Sequence, residues 1–470
     1  MVLVISMLAG LILNFAFAPF EFWPAPFISL GGLFLLLNTS TWWRRVLIAF
    51  LFGLAFFLWL LHWSGSYVGW FPWVALALLQ AGLFSLIGIF RYQMNLSGVL
   101  KFSMMFLLVE ILRMKFPFGG FGWGRIGHTQ TPILGKIYPF LGVAGITLLV
   151  VAISALLVLQ RYRILFTIAL LTMPIFLINP SWSSNSQRAE TFTLLAVQGG
   201  VDKLGLDFNE RALGVLRRHI AATRDVAPGT QLVIWPENAS DIDPEKNATA
   251  KLEIANLRKR IQLPLLIGAV ERGELGPENS AILYRGMPEE GEETERYVKQ
   301  DLAPFGEYMP LRSLAERLVP TAKRVVDFQP GTKPKIFTVD GASFASLICF
   351  EILDDDLVRN STRGANFIIN QTNNATFGRS PQAAQQLQIA RARAAELDRD
   401  LIAVSTTGFT AAIDNKGRVT RKLAQFEPGS LAASVELREG QTPASGLGSW
   451  FWGALGALGV LASYLRRFNR

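Results

Sequence analysis

Residues 344–351 read FASLICFE. An apolar run of strand length stops on a thiol, Cys349, followed by an aromatic ring, Phe350, and a carboxylate, Glu351. Comparable runs recur on both sides of it, at Thr193–Gln198, Gln231–Trp235, Leu265–Val270, Ala281–Arg285, Tyr297–Leu302, Asn366–Asn370, Leu401–Ser405 and Thr410–Ile413. Helical spacing fills the gaps between them. Asp207–Arg224 repeats Leu213, Leu216 and Ile220, and Ala383–Leu397 repeats its apolar positions with alternating Arg and Glu set on the wet side. The DNKG turn at 414–417 reads as a turn between two strands, Thr410–Ile413 and one that follows it. Strand runs alternating with helices over residues 185–445 predict a layered α/β domain.

The sequence before that domain is of another kind. Of 470 residues, 51% are hydrophobic and 17% charged, with 34 Phe and 12 Trp, which excludes a disordered chain. The excess apolar residues lie in 1–180. A spanning helix needs about 20 largely apolar residues, and seven segments approach this, near 1–18, 27–40, 46–63, 72–90, 98–115, 138–159 and 163–180. An eighth, 449–466, closes the chain. The first lacks the basic start and small-residue cleavage site of a secretory leader. The reading is a seven-helix transmembrane domain over 1–180, an extracytoplasmic domain over 185–445 and a C-terminal transmembrane helix.

Orientation follows from Lys and Arg in short loops. Arg44, Arg45, Arg91, Lys101, Arg161, Arg163, Arg466, Arg467 and Arg470 fall in alternate loops, which puts both termini in the cytoplasm and the α/β domain across the membrane. Arg113, Lys115, Arg125 and Lys136 compete in one opposing loop. Within that loop FPFGGFGWGRIGHTQ, residues 116–130, reads as an aromatic belt at headgroup level. Its functional alternative is a lipid entrance at which His128 and Gln130 meet substrate. Phe15–Pro24, with the single acid Glu21, reads as a second interfacial turn.

A net charge of +9 without a run of five basic residues is explained by membrane-flanking loops, so no nucleic-acid partner is expected. One cysteine excludes an internal disulfide. The three histidines, His62, His128 and His219, form no metal-ligand pattern, and no metal or cofactor is expected. His219, beside Arg217 and Arg218, is expected on a solvated helix face.

Three polar residues sit within or after apolar runs, where α/β layers bind and react: Glu237 in IWPE, Lys299 in YVKQDLAPFGEY and Cys349 in SLICFE. A thiol is only a few per cent thiolate at neutral pH, so a nucleophilic Cys needs a base or a nearby cation. A desolvated Glu supplies the first and a Lys can hold a developing oxyanion. Taken singly, each has a plainer reading: a small buried hydrophobe, a helix-start acid, an edge lysine.

Taken in order, the segments resemble the nitrilase superfamily. With the membrane segments they resemble its apolipoprotein N-acyltransferase family. The resemblance rests on AVQGG at 196–200, WPENA at 235–239, YVKQDLAPFGEYMP at 297–310, LICFEI at 347–352, NNATFG at 373–378 and RARAAEL at 391–397. It implies an αββα sandwich in which Glu237 is the base, Lys299 the oxyanion partner and Cys349 the nucleophile, with Glu307 and Glu351 supporting. It also implies substrate contacts at Phe350 and Asn374. Phe350 stands where the family has Tyr, Asn374 and Thr376 where it has an acid and a Trp, and Leu206 near an expected Trp. The implied activity moves an acyl chain from a phospholipid, through a thioester, to the N-terminal amine of a diacylglyceryl-modified apolipoprotein at the bacterial inner membrane. The alternatives are a membrane-tethered amidase and a lipid-binding scaffold.

Overall fold

The protein is described by a computed structural model, which covers all residues except 40, 178–189, 202, 206–211, 225, 287–292, 319 and 466–470. Two compact units result. One holds Met1–Pro180, Ala395–Leu397 and Thr442–Arg470, the other Ser181–Ala394 and Asp398–Gln441.

The first unit is helical. Its elements are α1 (Val2–Leu13), α2 (Ala25–Leu36), α3 (Trp42–Leu60), α4 (Trp70–Phe84), α5 (Leu96–Lys115), the short α6 (Thr131–Leu134), α7 (Tyr138–Val158) and α8 (Tyr162–Leu177), with α14 (Ser449–Leu465) from the chain end. By length and composition Trp42–Leu60, Trp70–Ile89 and Tyr138–Val158 can each cross a membrane, and Val2–Ala16, Ala25–Leu36, Tyr162–Ile175 and Ser449–Ser463 are shorter apolar helices. Helices in lipid gain little by hiding apolar surface from one another, so small residues and hydrogen bonds set their approach. A Cβ on Gly10 would lie 2.2 Å from the Phe52 carbonyl oxygen, so α1 meets α3 backbone to backbone. Ser6 donates to the Ile48 carbonyl and Ser29 to that of Ala9, both at 2.7 Å.

The loop after α5 is largely enclosed by its own unit, although Phe116 and Phe118 are exposed. Residues 122–130 are buried, His128 and Gln130 included. The cause is a polar knot inside the bundle: Glu110 of α5 accepts from the Ile126 N–H at 2.9 Å and from Thr147 of α7 at 2.8 Å. Arg113 donates to Gln80 at 2.6 Å and to the Trp123 carbonyl at 2.8 Å. Arg113 is therefore an interior residue, not a loop charge. The Phe15–Pro24 turn does leave Phe15, Phe20, Phe22 and Trp23 exposed.

The second unit is a two-sheet sandwich. Its strands are β1 (Thr191–Gln198), β2 (Leu232–Ile234), β3 (Leu265–Arg272), β4 (Pro277–Arg285), β5 (Glu293–Val298), β6 (Ile336–Val339), β7 (Ala342–Ile348), β8 (Phe367–Thr372), β9 (Leu401–Ser405), β10 (Ala411–Ile413), β11 (Val419–Lys422) and β12 (Gly429–Glu436). They form two six-stranded sheets ordered β12-β1-β2-β3-β4-β5 and β11-β10-β9-β8-β7-β6. The central strands β1–β2–β3 and β7–β8–β9 run parallel and the outer ones antiparallel. Side chains alternate across a strand. Phe192, Leu194, Phe344, Ile348, Phe367 and Ile369 accordingly meet between the sheets. Each such burial contributes about 1.5–3 kcal/mol. The outer face of the first sheet is covered by α9 (Gly214–Ala222) and α10 (Ala248–Ile261), through Leu216, Ile254 and Leu257. The remaining helices are α11 (Arg312–Leu318), α12 (Asp355–Ser361) and α13 (Gln382–Leu397). Ala383, Leu387 and Ala390 of α13 share a small cavity with Asn370, Thr372 and Ala403 of β8 and β9, which completes an αββα sandwich.

The structure departs from the sequence reading in several places. Edge strands β6 and β12 go unannounced, because their apolar runs are short or diluted with Ser and Ala, and β11 is announced only by the turn before it. The strand expected at Tyr297–Leu302 is Glu293–Val298, ending where its ladder with β4 stops at Ser280–Val298. His219 is not solvated: it is fully buried, its Nδ1 is 2.8 Å from the Val215 carbonyl oxygen, and its ring lies 5.7 Å from that of Trp235. Burial pushes its pKa down to about 4. Nor is Arg393 on a wet face. It is buried and ties α13 to the Ile352 and Leu353 carbonyls at 2.9 and 3.1 Å and to Asp355 at 2.6 Å. Leu206, Arg466, Arg467 and Arg470 lie outside the described residues.

Candidate active site

The chemistry-bearing side chains of the second unit leave strand ends or the loops just past them. After β2 the chain passes through Trp235, whose indole donates to Thr223 at 2.9 Å and whose carbonyl accepts from Gln371 of β8 at 2.6 Å. Pro236 and Glu237 follow, pressed on β3 where Gly268 stands; a Cβ there would lie 2.3 Å from the Pro236 oxygen and 2.6 Å from Glu237 Cα. Glycine is required at that contact by space, not by dihedral freedom.

Lys299 leaves the end of β5, its N–H donating to the Asn279 carbonyl at 2.9 Å and its carbonyl accepting from the Gly331 N–H at 2.8 Å. Its ammonium is buried between two carboxylates, 3.3 Å from Glu237 and 2.8 Å from Glu307. Asn279 of β4 bridges the same pair, its Nδ2 donating to each at 2.8 Å. The second oxygen of Glu237 accepts from the Asn373 N–H at 2.7 Å, and Glu307 accepts from the Ala303 N–H at 2.8 Å. Such a cluster is held only because every charge has partners.

Cys349 follows β7 with a φ of +52°, a left-handed conformation costly for a side chain with a Cβ, and opens a 3₁₀ turn, Cys349–Leu353. It is the sole cysteine and is partly exposed. Glu351 in that turn is fully buried and accepts from the Tyr297 hydroxyl at 2.6 Å and from the N–H groups of Gln300 at 2.7 Å and Ile348 at 2.7 Å. One carboxylate thus joins the residues flanking Lys299 to the residue before Cys349. Burial pushes Glu351 up to about 7 against those hydrogen bonds.

The electrostatics divide the labour. Burial pushes Glu237 above the usual carboxylate range, opposed chiefly by Lys299, which makes it a stronger proton acceptor than an exposed carboxylate. Burial acts to lower the Lys299 pKa, but the charges of Glu307 and Glu237 outweigh it and hold the ammonium well above its ordinary value. The Cys349 thiol is pushed up by burial and by Glu237, with Lys299 pulling the other way. The arrangement offers a proton acceptor, a cation that keeps its proton and a thiol that turns nucleophilic only as its proton leaves.

The structure thus brings Glu237, Lys299 and Glu307 into one cluster whose charges act on the Cys349 thiol, while Glu351 ties together the backbone that carries Lys299 and Cys349. Phe350, beside Cys349, is partly exposed. Asn374 is buried, engaged with Thr372, Ser405, Gln382 and Gln386, and lines the small cavity under α13. His128 and Gln130 belong to the first unit, where Gln130 donates to the Trp23 carbonyl at 3.2 Å. Sequence reasoning missed Asn279, Tyr297 and Gln386. Only the hydrogen bond of Asn279 to both acids marks it, and nothing in its sequence neighbourhood does.

Comparison with known proteins covers both units. Residues 9–156 match the model of the apolipoprotein N-acyltransferase N-terminal domain, and residues 167–442 that of the carbon-nitrogen hydrolases. The chain is 32% identical to an apolipoprotein N-acyltransferase of Mycolicibacterium smegmatis, over 93% of this chain and 80% of that one. It is 28% identical to the enzyme so named in Photobacterium profundum, over 95% and 92%. Among solved structures it is similar to a CN-hydrolase superfamily protein from Xanthomonas campestris, at 18% identity and a TM-score of 0.38, over 53% of this chain and 91% of that one. With helical unit and sandwich both matched, and relatives aligned over nearly the whole length, the chain belongs to the apolipoprotein N-acyltransferase family.

Proposed function

We propose that this protein transfers a fatty acyl chain from a membrane phospholipid to the N-terminal amine of a diacylglyceryl-modified cysteine in apolipoproteins. Glu237 takes the Cys349 proton, and the thiolate attacks the ester carbonyl of the donor. Lys299 and a backbone N–H following Cys349 hold the tetrahedral oxyanion. The C–O bond to glycerol breaks, Glu237 returns its proton to the departing alkoxide, and a lysophospholipid leaves. The acceptor amine then attacks the thioester, losing a proton to Glu237, and Cys349 leaves as thiolate. The observation that supports this order of events is the Lys299 ammonium held between Glu237 and Glu307, beside a thiol both charges act on.

Both substrates carry acyl chains whose exposure to water costs about 0.8 kcal/mol per CH₂. This gives residues 1–180 and 449–466 their role as the anchor that keeps the thiol within reach of the bilayer. The same reading places the protein in the bacterial cytoplasmic membrane, with 185–445 as the catalytic domain on its outer side, on the strength of the Lys and Arg distribution. Arg113 and Arg125 on the competing side and Arg45 on the supporting side are all buried inside the helical unit, so the reading rests on the remaining loop charges.

The test is a two-substrate reaction in phosphatidylethanolamine vesicles with a diacylglyceryl-cysteine peptide. The expected products are N-acylated peptide and lysophospholipid in equal amounts. Free fatty acid with unmodified peptide would identify a hydrolase instead.

A further inference from the structure

A polar chain runs from the β9–β10 corner to the nucleophile, and its direction is set at the nucleophile's end. At the far end the Gly408 N–H donates to Ser405 Oγ at 2.8 Å, and Ser405 Oγ lies 2.5 Å from Asn374 Oδ1. Ser405 accepts from the backbone and, where Asn374 presents its oxygen, spends its single hydrogen there. Thr372 Oγ1 stands 3.1 Å from the same oxygen. Asn374 Nδ2 is then the atom facing α13, where it donates to Gln382 Oε1 at 2.6 Å and Gln386 Oε1 at 2.8 Å. Gln382 Nε2 donates to Gln386 Oε1 as well, at 3.3 Å.

With its oxygen so occupied, Gln386 turns its amide nitrogen toward Cys349, 3.3 Å from the carbonyl oxygen and 3.7 Å from Sγ. The Cys349 carbonyl is acceptor-only, so it fixes this orientation and, through the Gln386 oxygen, that of Asn374. The site is built for this contact. Gln386 and Asn374 are both at least nine-tenths buried, and a Cβ on Gly408 would lie 2.2 Å from Asn374 Oδ1.

We propose that Gln386 is a further member of the thiol site, donating a hydrogen bond from Nε2 to Cys349 Sγ, and that Asn374 is the positioning residue that sets its direction. The inference rests on Cys349 being the nucleophile. A donor aimed at sulfur favours thiolate over thiol, so it works with Lys299 against the burial and the carboxylates that hold the proton on. It also holds the left-handed cysteine by its carbonyl. Asn374 is the residue type this requires. A carboxylate there could still accept from Ser405 and Thr372 but would confront the Gln382 and Gln386 oxygens with no N–H, and relief would turn the Gln386 oxygen toward Cys349.

The test is the pH profile of Cys349 alkylation by iodoacetamide in the intact detergent-solubilised protein, read by mass, since the chain has no other cysteine. Gln386→Met and Asn374→Asp should each move the inflection upward by about one pH unit, a roughly tenfold slower reaction at any pH below it. The double variant should be no slower than Gln386→Met, because both act through one bond. An inflection at the wild-type pH in Gln386→Met, or additive slowing in the double variant, overturns the proposal. If Gln386→Met does not fold, Asn374→Asp, which keeps size and polarity, carries the same decision. Alkylation needs no acyl donor, so the result is readable whether or not the wild-type protein takes up an acyl group.

Discussion

Lys299 shows how a single buried charge shapes this protein. Its ammonium serves two carboxylates at once, so removing it leaves Glu237 and Glu307 facing each other with only Asn279 between. Lys299→Met should lower the unfolding free energy by about 3–5 kcal/mol, the cost of stranding a buried partner, whereas Cys349→Ala should change it little; equal denaturation midpoints would contradict this. His219 makes a pH-dependent contribution of the opposite kind. In the unfolded chain it takes up a proton near pH 6.5, but in the native protein only near 4. Its neutral burial therefore adds stability that is complete above pH 6.5 and is lost as pH falls through about 4, roughly 3 kcal/mol in all. His219→Gln should flatten that part of the stability–pH curve, and an unchanged slope would show that another group carries it. The burial was legible, since Val215, Leu216 and His219 share one helical face. The two neighbouring arginines obscured it.

At the scale of elements, the site is a set of strand ends held in register by a few contacts. β2 and β3 press Glu237 into place through Gly268, while Glu351 ties the end of β5 to the end of β7. Gly268→Ala must push the Glu237 loop outward. A displacement of about 1 Å of a catalytic group costs on the order of 10²-fold in turnover, so the variant should fold and lose about that factor in kcat. Full activity would mean that Glu237 tolerates displacement. Glu237, Lys299 and Cys349 could be found in the sequence because polar types interrupt apolar runs there. Asn279 and Gln386 could not, because Asn in a strand and Gln in a helix are common, and their meaning comes from strands and helices distant in the chain. β12 escaped for a related reason: it is a strand because β1 pairs with it, residue for residue from Thr191–Glu436 to Gln198–Gly429, more than because of its own Ser- and Ala-rich sequence.

At the scale of the whole molecule, composition alone separates an apolar helical part from a charged α/β part, because hydrocarbon and water select opposite surfaces. What the hydropathy reading lost was the interior of the helical unit, where Glu110, Arg113 and Arg125 are buried instead of marking loops. The proposed orientation is open to a direct check. Leu275 is 86% exposed in the second unit, so Leu275→Cys in a Cys349→Ser background gives one accessible thiol. A membrane-impermeant maleimide should label it in cells whose cytoplasmic membrane is intact, and labelling only after lysis would reverse the topology. The central claim is that Cys349, activated by Glu237 and Lys299, carries the acyl group. It is tested most directly by the intact mass of the protein after incubation with phosphatidylethanolamine. The account predicts a single acyl-sized increment, released by hydroxylamine and missing in Cys349→Ala. An unchanged mass with every phospholipid tried, in protein whose Cys349 still alkylates, would contradict it.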